Sequence, residues 1–233
     1  MFITTPDDAI ASVAAGVRWR AGQVVVHSSG AHSAGVLDAA AAQGALTGVF
    51  HPLQTLASGV EPELGQFRGI TFTVEAAEEA LAGLLQRWAT TMGGRWITLR
   101  PEDRLLYHAA AVLASNYVVT LAKLATDLWG EMGIERAEAL RALLPLMHGT
   151  VENLERVGLP DGLTGPIARG DLGTIERHMT ALGERAPQAL AIYRELGIQT
   201  VPLAEELGRV NAGQAAALRY ALADTKPAPA DTE

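Results

Sequence analysis

The chain has 233 residues, of which 48% are hydrophobic and none is cysteine. This length favours two domains, and the missing thiols exclude disulfides, thiolate catalysis and cysteine-based zinc sites. The formal net charge is -8, with no block of Lys and Arg, so we expect no nucleic-acid partner, because such binding needs clustered cations.

Histidine spacing argues against a metal-dependent protein, and the first residues argue against a secreted or membrane protein. The six histidines never take the His-Glu-x-x-His spacing of a zinc protease, so we expect no metal site. The first residues lack the basic segment and apolar run of a secretory signal, and we expect no stretch to span a membrane. A cytoplasmic location is therefore the expectation.

The first hundred residues alternate strand-like and helix-like segments, which is typical of βα units on a largely parallel sheet. Strands are predicted at 2–4, 23–27, 45–50, 70–74 and 96–99, and helices at 6–17, 33–43 and 76–90. The run Val24-Val25-Val26 gives the clearest buried strand, because continuous β-branched runs fit a sheet that is covered on both faces.

Beyond Arg100–Pro101 the strand pattern ends, and helical segments separated by glycines follow. The predicted organisation is therefore an α/β domain over residues 1–100 and an all-helical domain over residues 101–224. The ending, residues 225–233, is polar and rich in proline, and we expect it to be disordered.

Polar side chains follow two neighbouring strands of the predicted sheet. Ser28, Ser29 and Gly30 come directly after the strand at 23–27, and His51 and Gln54 follow the next strand. Ligands of open parallel sheets lie beyond the carboxyl ends of the strands, and a glycine there would let a ligand approach the backbone. An ordinary strand-to-helix turn explains the first loop equally well.

An apolar helical segment from Tyr107 to Leu128 carries a few polar side chains. At about 100° per residue, Ser115, Asn116 and Lys123 fall on the same face as His108. An unsatisfied buried polar group costs about 1–3 kcal/mol, so a ligand in a cleft between the domains would suit this face. His108 could then transfer a proton, and Lys123 could orient or protonate a carbonyl oxygen. Alternatively, His108 is a satisfied core histidine and Lys123 reaches solvent.

A loop in the second domain contains Arg169, which could clamp a carboxylate or phosphate, and Asp171, which is better explained as a helix cap. We assign no function to Glu75, His148 or His178.

Five of these segments, in this order, resemble one bacterial family. They are Thr5 to Asp8, Val24 to Gly30, Phe50 to Thr55, Tyr107 to Asn116 and Leu163 to Ile167. Over residues 1–207 the chain is similar to a Rossmann-like family of largely unassigned function, related to ketopantoate reductase, pyrroline-carboxylate reductase and 3-hydroxyisobutyrate dehydrogenase. The resemblance implies a partial Rossmann-type parallel sheet followed by an all-helical domain like the C-terminal domain of 6-phosphogluconate dehydrogenase.

The resemblance also implies a cofactor, NADP or NAD, on the first domain, a small-molecule substrate in the cleft, and a homodimer formed by the helical domain. The residues implied at the cofactor are Thr5, Pro6, Asp7, Ser28, Ser29, Gly30, His51 and Gln54. The residues implied in catalysis are His108, Ser115, Asn116 and Lys123, with Arg169 as a weaker candidate.

The chain departs from that family at the phosphate-binding loop, because no two of its glycines stand two residues apart, as a G-x-G-x-x-G motif requires. Its start resembles the family's fourth strand, so residues 2–4 should form a bare sheet edge. We expect a second copy, a separate chain or a rearranged segment to cover that edge.

Two functions stay open on these observations. One is an oxidoreductase that transfers hydride between NAD(P)H and a small carbonyl or imine compound. The other is a non-catalytic dimeric remnant that binds a small ligand or a partner protein.

Overall fold

A computed structural model describes residues 1–56 and 64–223, so the predicted tail at 225–233 lies outside the described part. The chain divides into two compact units, Met1–Val119 and a second that begins at Thr120. This boundary lies later than the predicted Arg100–Pro101, because the helix that follows Pro101 packs onto the sheet through the fully buried Arg104.

The first unit is built on a five-stranded sheet in the order β1-β2-β3-β4-β5. The strands are β1 (Phe2–Ile3), β2 (Val24–His27), β3 (Leu46–Pro52), β4 (Thr71–Ala76) and β5 (Arg95–Thr98). All five match predicted strands, and the α/β fold class is confirmed. β1 lies at one edge of the sheet, as predicted.

The sheet is mixed in direction, which differs from the largely parallel sheet that the sequence predicts. β1, β2 and β3 are parallel, β4 runs antiparallel to β3, and β5 is parallel to β4. A parallel connection needs a crossover helix, and the described residues between β3 and β4 contain only the short 3₁₀ helix Leu64–Phe67.

Helices cover both faces of this sheet. They are α1 (Asp7–Gly16), α2 (Asp38–Ala41), α3 (Glu79–Thr91) and α4 (Arg104–Ala114). The next helix, α5 (Asn116–Gly130), continues into the second unit. The helix predicted at 33–43 is a 3₁₀ helix, Ala34–Leu37, followed by α2, and the Ser33 hydroxyl caps it by accepting from Gly35 N at 3.4 Å.

Side-chain alternation along the strands gives the sheet an apolar face and a partly polar face. Phe50, Phe72 and Val74 pack with α3 on the apolar face. On the other face, the apolar cluster that includes Val25 and α1 covers β1 and β2, whereas β3 and β4 carry polar residues. These are His51 and its cross-strand partner Thr73, together with Glu75, which pairs with Val49.

The described part of the second unit is helical, and no strand occurs between residues 120 and 223. Its further helices are α6 (Arg136–Val157), α7 (Leu172–Arg185), α8 (Pro187–Glu206) and α9 (Ala212–Leu222), with a core that includes Ile175, Val201 and Leu218. Asp171 caps α7, as predicted, by accepting from Thr174 N at 3.0 Å.

The apolar stretch that begins near Pro101 is largely exposed, although the sequence predicts a buried helix with a polar stripe. Leu106 is 75% exposed and Leu113 is 63% exposed. One helical stretch among the described residues, Pro101–Gly130, is long and apolar enough to cross a membrane, with 30 residues and a mean hydropathy of 1.4. The prediction that no stretch reaches that length and hydropathy was therefore wrong.

Candidate active site

A cavity of about 700 Å³ lies beyond the carboxyl end of β3, within the first unit. Small-molecule sites usually measure roughly 300–1,000 Å³, so this cavity has the size of a ligand site. Its polar lining residues are His51, Gln54, Thr55, Tyr107, His108, Ser115 and Asn116. Five predicted site residues therefore come together here, because α4 lies over the polar face of β3 and β4.

His51 forms a hydrogen bond with Tyr107 in the wall of the cavity. Its Nδ1 lies 2.9 Å from the Tyr107 hydroxyl, and the two rings meet edge to face with centroids 5.7 Å apart. Burial, followed by the neighbouring His108 and Arg104, lowers the pKa of His51 to about 4. The ring is therefore neutral near pH 7, with one bare nitrogen and one N–H.

Tyr107 and Thr55 are the two polar lining residues to which the sequence assigned no role, and of the two only Tyr107 contacts His51 in the wall. Burial is the largest effect on its hydroxyl and raises the pKa, while the Thr73 hydroxyl and Arg104 act in the opposite direction. The hydroxyl is therefore protonated near pH 7, and its oxygen can accept from His51 in the tautomer that carries the proton on Nδ1. A tyrosine in an apolar helix is typical of a core residue, so only its place next to His108 could have indicated a function.

Gly30 lies directly against both imidazoles. A Cβ atom on Gly30 would stand 2.8 Å from Nε2 of His51 and 3.1 Å from Nδ1 of His108. The sequence predicts a ligand against this glycine, but the structure places the two histidine rings there. Gly30 thus lets β2, β3 and α4 bring their site residues together.

The loop after β2 is held by its own hydrogen bonds. Ser29 N donates to Nδ1 of His27 at 3.1 Å, so the proton of this buried ring is on Nε2, which donates to the Ser33 carbonyl at 3.0 Å. The Ser29 hydroxyl donates to Asp7 at 2.9 Å and accepts from two backbone N–H groups of the same turn, each at 3.2 Å. Ser29 and Asp7 therefore join the ends of β1 and β2.

The other residues predicted at the cofactor lie along the same edge of the sheet. Thr5, Pro6 and Asp7 are exposed after β1, and Ser28 is half-buried after β2. Of the predicted cofactor set, only His51 and Gln54 are among the residues that line the cavity. Gln54 uses its side-chain amide within its loop, donating to the Gln66 carbonyl at 3.0 Å.

Lys123 does not line the cavity, because it belongs to the second unit. Its Nζ lies 2.6 Å from Asp127, and its side chain is 58% exposed. The helical phase that placed it on the face of His108 assumes a continuous helix, but the backbone leaves helical geometry at Ser115, with φ -125° and ψ -71°, between α4 and α5. Arg169 is exposed in the 3₁₀ helix Ile167–Arg169.

A buried ion pair lies behind the cavity, between two residues that the sequence did not mark as functional. Nε of Arg104 donates to one Glu75 oxygen at 2.6 Å, and the other Glu75 oxygen accepts from Ala34 N at 2.8 Å. Nη1 and Nη2 of Arg104 have no hydrogen-bond partner among the described residues. Glu75, which the sequence left without a role, thus connects β4, α4 and the segment after β2.

The low pKa of His51 makes the stability of the fold depend on pH. The unfolded ring takes up a proton near pH 6.5 and the folded ring only near pH 4, so the unfolded state binds more protons between these values. The free energy of unfolding should therefore decrease by about 2 kcal/mol as the pH falls through this window, after allowance for solvent screening. Burial also lowers the pKa of His27, which adds a loss of the same sign.

Urea denaturation at several pH values measures this effect. His51→Gln should remove part of the pH dependence, whereas His148→Gln, which changes an exposed histidine of α6, should preserve it. Equal pH dependence in the wild type and in His51→Gln would contradict the assigned burial of His51.

Two family models match the chain. A Rossmann-like domain model matches residues 1–52, and the model of a domain of unknown function, DUF2520, matches residues 70–200. No curated protein matches the sequence.

Solved structures with this fold cover most of the chain. Protein TM1727 from Thermotoga maritima is 27% identical with a TM-score of 0.74, over 89% of this chain and 79% of that one. BF3122 from Bacteroides fragilis, provisionally described as an NADP oxidoreductase, is 24% identical with a TM-score of 0.69, over 86% and 74%. A reductive aminase from Aspergillus terreus, in complex with NADPH and ethyl levulinate, is 18% identical with a TM-score of 0.56, over 94% and 78%.

The fold is thus one that NADP-dependent reductases share, and the predicted family resemblance is confirmed. Because its model matches more than half of the residues, from β4 into α8, the chain belongs to the DUF2520 family.

Proposed function

We propose that the chain is an NAD(P)-dependent oxidoreductase that reduces a small carbonyl or imine compound in the cavity beyond β3. The observation that carries the proposal is the hydrogen bond between a neutral imidazole, His51, and a protonated phenol, Tyr107, in the cavity wall. Reduction of a C=O or C=N bond needs one hydride and one proton. The nicotinamide supplies the hydride when it is bound, and the chain must then supply the proton and orient the substrate.

The described residues fit the nicotinamide end of the cofactor. The carboxyl ends of β1, β2 and β3 meet at one edge of the sheet, where ligands of such folds bind, and the cavity of about 700 Å³ can hold a small ring together with a small substrate. His51 and Gln54 would contact this end.

The same residues do not fit the pyrophosphate. Asp7 and Asp8 in the first turn of α1 would repel an anion at that helix terminus, and the sequence has no G-x-G-x-x-G motif. The first turn of α1 is therefore not a site for the phosphates.

Tyr107 is the proposed proton donor. Its hydroxyl is protonated near pH 7 and can release the proton to the carbonyl oxygen or imine nitrogen, while the guanidinium of Arg104 favours the phenolate that remains. In the tautomer that donates from Nδ1 to the Tyr107 oxygen, His51 can pass this proton to the phenolate and take up another at Nε2, and the exposed His108 beside it over Gly30 can deliver that proton from solvent. Ser115 and Asn116 complete the polar wall that would orient the substrate.

Tyr107→Phe should lower the rate of NADPH-dependent reduction by about 100-fold or more, because it removes the donor of an acid-catalysed step. NADPH affinity should change little. The matched control is Tyr193→Phe, which removes a hydroxyl from a similar pair in the second unit, where Nδ1 of His178 lies 2.8 Å from Tyr193. Equal rates in both variants would exclude Tyr107 as the donor.

A second candidate function is the non-catalytic remnant that binds a small ligand or a partner protein. The acidic first turn of α1 favours it, because Asp7 and Asp8 would repel the phosphates of a cofactor. Calorimetric titration of this chain with NADPH and NADH separates the two, because micromolar affinity corresponds to about -8 kcal/mol. Binding supports the reductase and leads to a screen of carbonyl and imine substrates. The lack of binding at millimolar cofactor favours the remnant.

We also infer that the chain acts in the cytoplasm as a homodimer. The exposed apolar residues of α4, which include Leu106 and Leu113, support a self-association surface, and a second copy is the partner that the family resemblance implies.

A further inference from the structure

Arg104 and Tyr107 lie on the same side of α4, because residues three apart are neighbours on a helix surface. Arg104 lies in the first turn and contacts the sheet through Glu75, with its side chain 1% exposed. Tyr107 follows one turn later and contacts the sheet through His51. These two contacts with neighbouring antiparallel strands determine how the start of α4 rests on the polar face.

Glu75 is the common point of three elements that carry site residues. It stands on β4 and pairs across the strands with Val49 of β3, two residues before His51. Its carboxylate accepts from Ala34 N, just after the loop that contains Gly30, and from Arg104 at the start of α4. A displacement of this carboxylate would therefore disturb both the loop and the helix that meet at His51.

Helix anchoring alone does not explain a charged pair at this position. A guanidinium has five N–H donors, and the two Nη groups of Arg104 are buried with no partner among the described residues. A buried pair of this kind is often no more stabilising than apolar side chains of similar volume. A role beyond stability would account for the charge.

We infer that the Glu75–Arg104 pair is a positioning element that holds the Tyr107 hydroxyl on Nδ1 of His51. This role rests on the proposed function for its chemical meaning, since the proposed donor must keep one orientation towards the substrate. Neither Glu75 nor Arg104 lines the cavity, so both act through Tyr107 and His51.

The test uses the imidazole nitrogen signals of His51 in ¹⁵N NMR spectra of the full chain without cofactor. Arg104→Met should shift the Nδ1 signal to the position seen in Tyr107→Phe, because both changes break the same hydrogen bond. Arg104→Met added to Tyr107→Phe should cause no further shift, whereas independent effects would add. Arg104→Lys, which keeps a positive charge and N–H donors, should restore part of the wild-type signal.

Arg100→Met is the matched control. It removes a guanidinium one turn earlier, where Arg100 is exposed and pairs with Asp103 at 2.7 Å, and it should leave the His51 signal unchanged. If Arg104→Met fails to fold because Glu75 is left unpaired, the double variant Glu75→Gln with Arg104→Met removes both charges and serves the same measurement.

A wild-type His51 signal in a folded Arg104 variant would overturn the inference, as would shifts that add to those of Tyr107→Phe. The NMR measurement needs neither cofactor nor turnover. If the Arg104→Met and Tyr107→Phe shifts do not add and NADPH does not bind, the proposed reductase is refuted and the positioning role stands. If NADPH binds and the two shifts add, only the positioning role is refuted.

Discussion

Gly30→Ala is expected to disrupt the contact between His51 and Tyr107. The added methyl group would lie 2.8 Å from Nε2 of His51 and 3.0 Å from its Cε1, so the imidazole must move away from Tyr107. Overpacking of this kind costs about 1–3 kcal/mol of stability, and loss of the relay should reduce turnover by about 100-fold or more. Thermal unfolding, His51 NMR signals and the rate of NADPH oxidation measure these effects.

Gly16→Ala is the matched control for this substitution. Gly16 ends α1 in the same unit, and a Cβ there would meet nothing within 4 Å, so stability and the His51 signals should be unchanged or slightly improved. If Gly30→Ala behaved like Gly16→Ala, the close approach of the two imidazoles to Gly30 would be wrong.

Local patterns were sufficient to predict the sheet. The β-branched run at Val24–Val26 forms a buried strand, as predicted, and the strand predicted at 70–74 appears as β4. In β4, Phe72 and Val74 face the apolar cluster, whereas Thr73 and Glu75 face the other side. The direction of β4 was not predicted, because it depends on the connection between β3 and β4 and not on the composition of either strand.

The candidate site was predictable only in part. His51 and His108 were found because each follows or lies within a recognisable element, and the fold then brings both to Gly30. Arg104 and Glu75 were missed because their role depends on a 2.6 Å contact between residues 29 positions apart in sequence. Spacing along the chain gives no indication of such a contact.

The prediction of which residues share one helix face was the least accurate. A constant rotation of 100° per residue placed Lys123 with His108, yet the break at Ser115 changes the phase for every residue of α5. The same reasoning treated an apolar segment as buried, whereas Leu106 is 75% exposed.

The pair of substitutions Leu106→Glu and Leu113→Glu is expected to convert a dimer into monomers. No Asp, Glu, Lys or Arg occurs from Leu105 to Ala122, and the two leucines, seven residues apart on one face of α4, are 75% and 63% exposed. A two-fold interface presents the same patch from both copies, so each glutamate would enter it twice. Buried unpaired charges cost several kcal/mol, and each 1.4 kcal/mol weakens association about tenfold. We expect the dimer dissociation constant to rise at least about 100-fold.

Sedimentation of the wild type and the variants measures this change, and Ala11→Glu, at an exposed position of α1, is the control that adds a similar charge elsewhere. A dimeric wild type and Ala11→Glu with a monomeric leucine variant would establish α4 as the interface. A monomeric wild type would refute the homodimer, and sedimentation with added lipid vesicles would then show whether the apolar stretch Pro101–Gly130 binds a membrane instead.

Because Tyr107 and His108 belong to the same helix, loss of the dimer should also change NADPH-dependent turnover if the interface holds α4 in place. Unchanged turnover in the monomer would show that each chain carries a complete site.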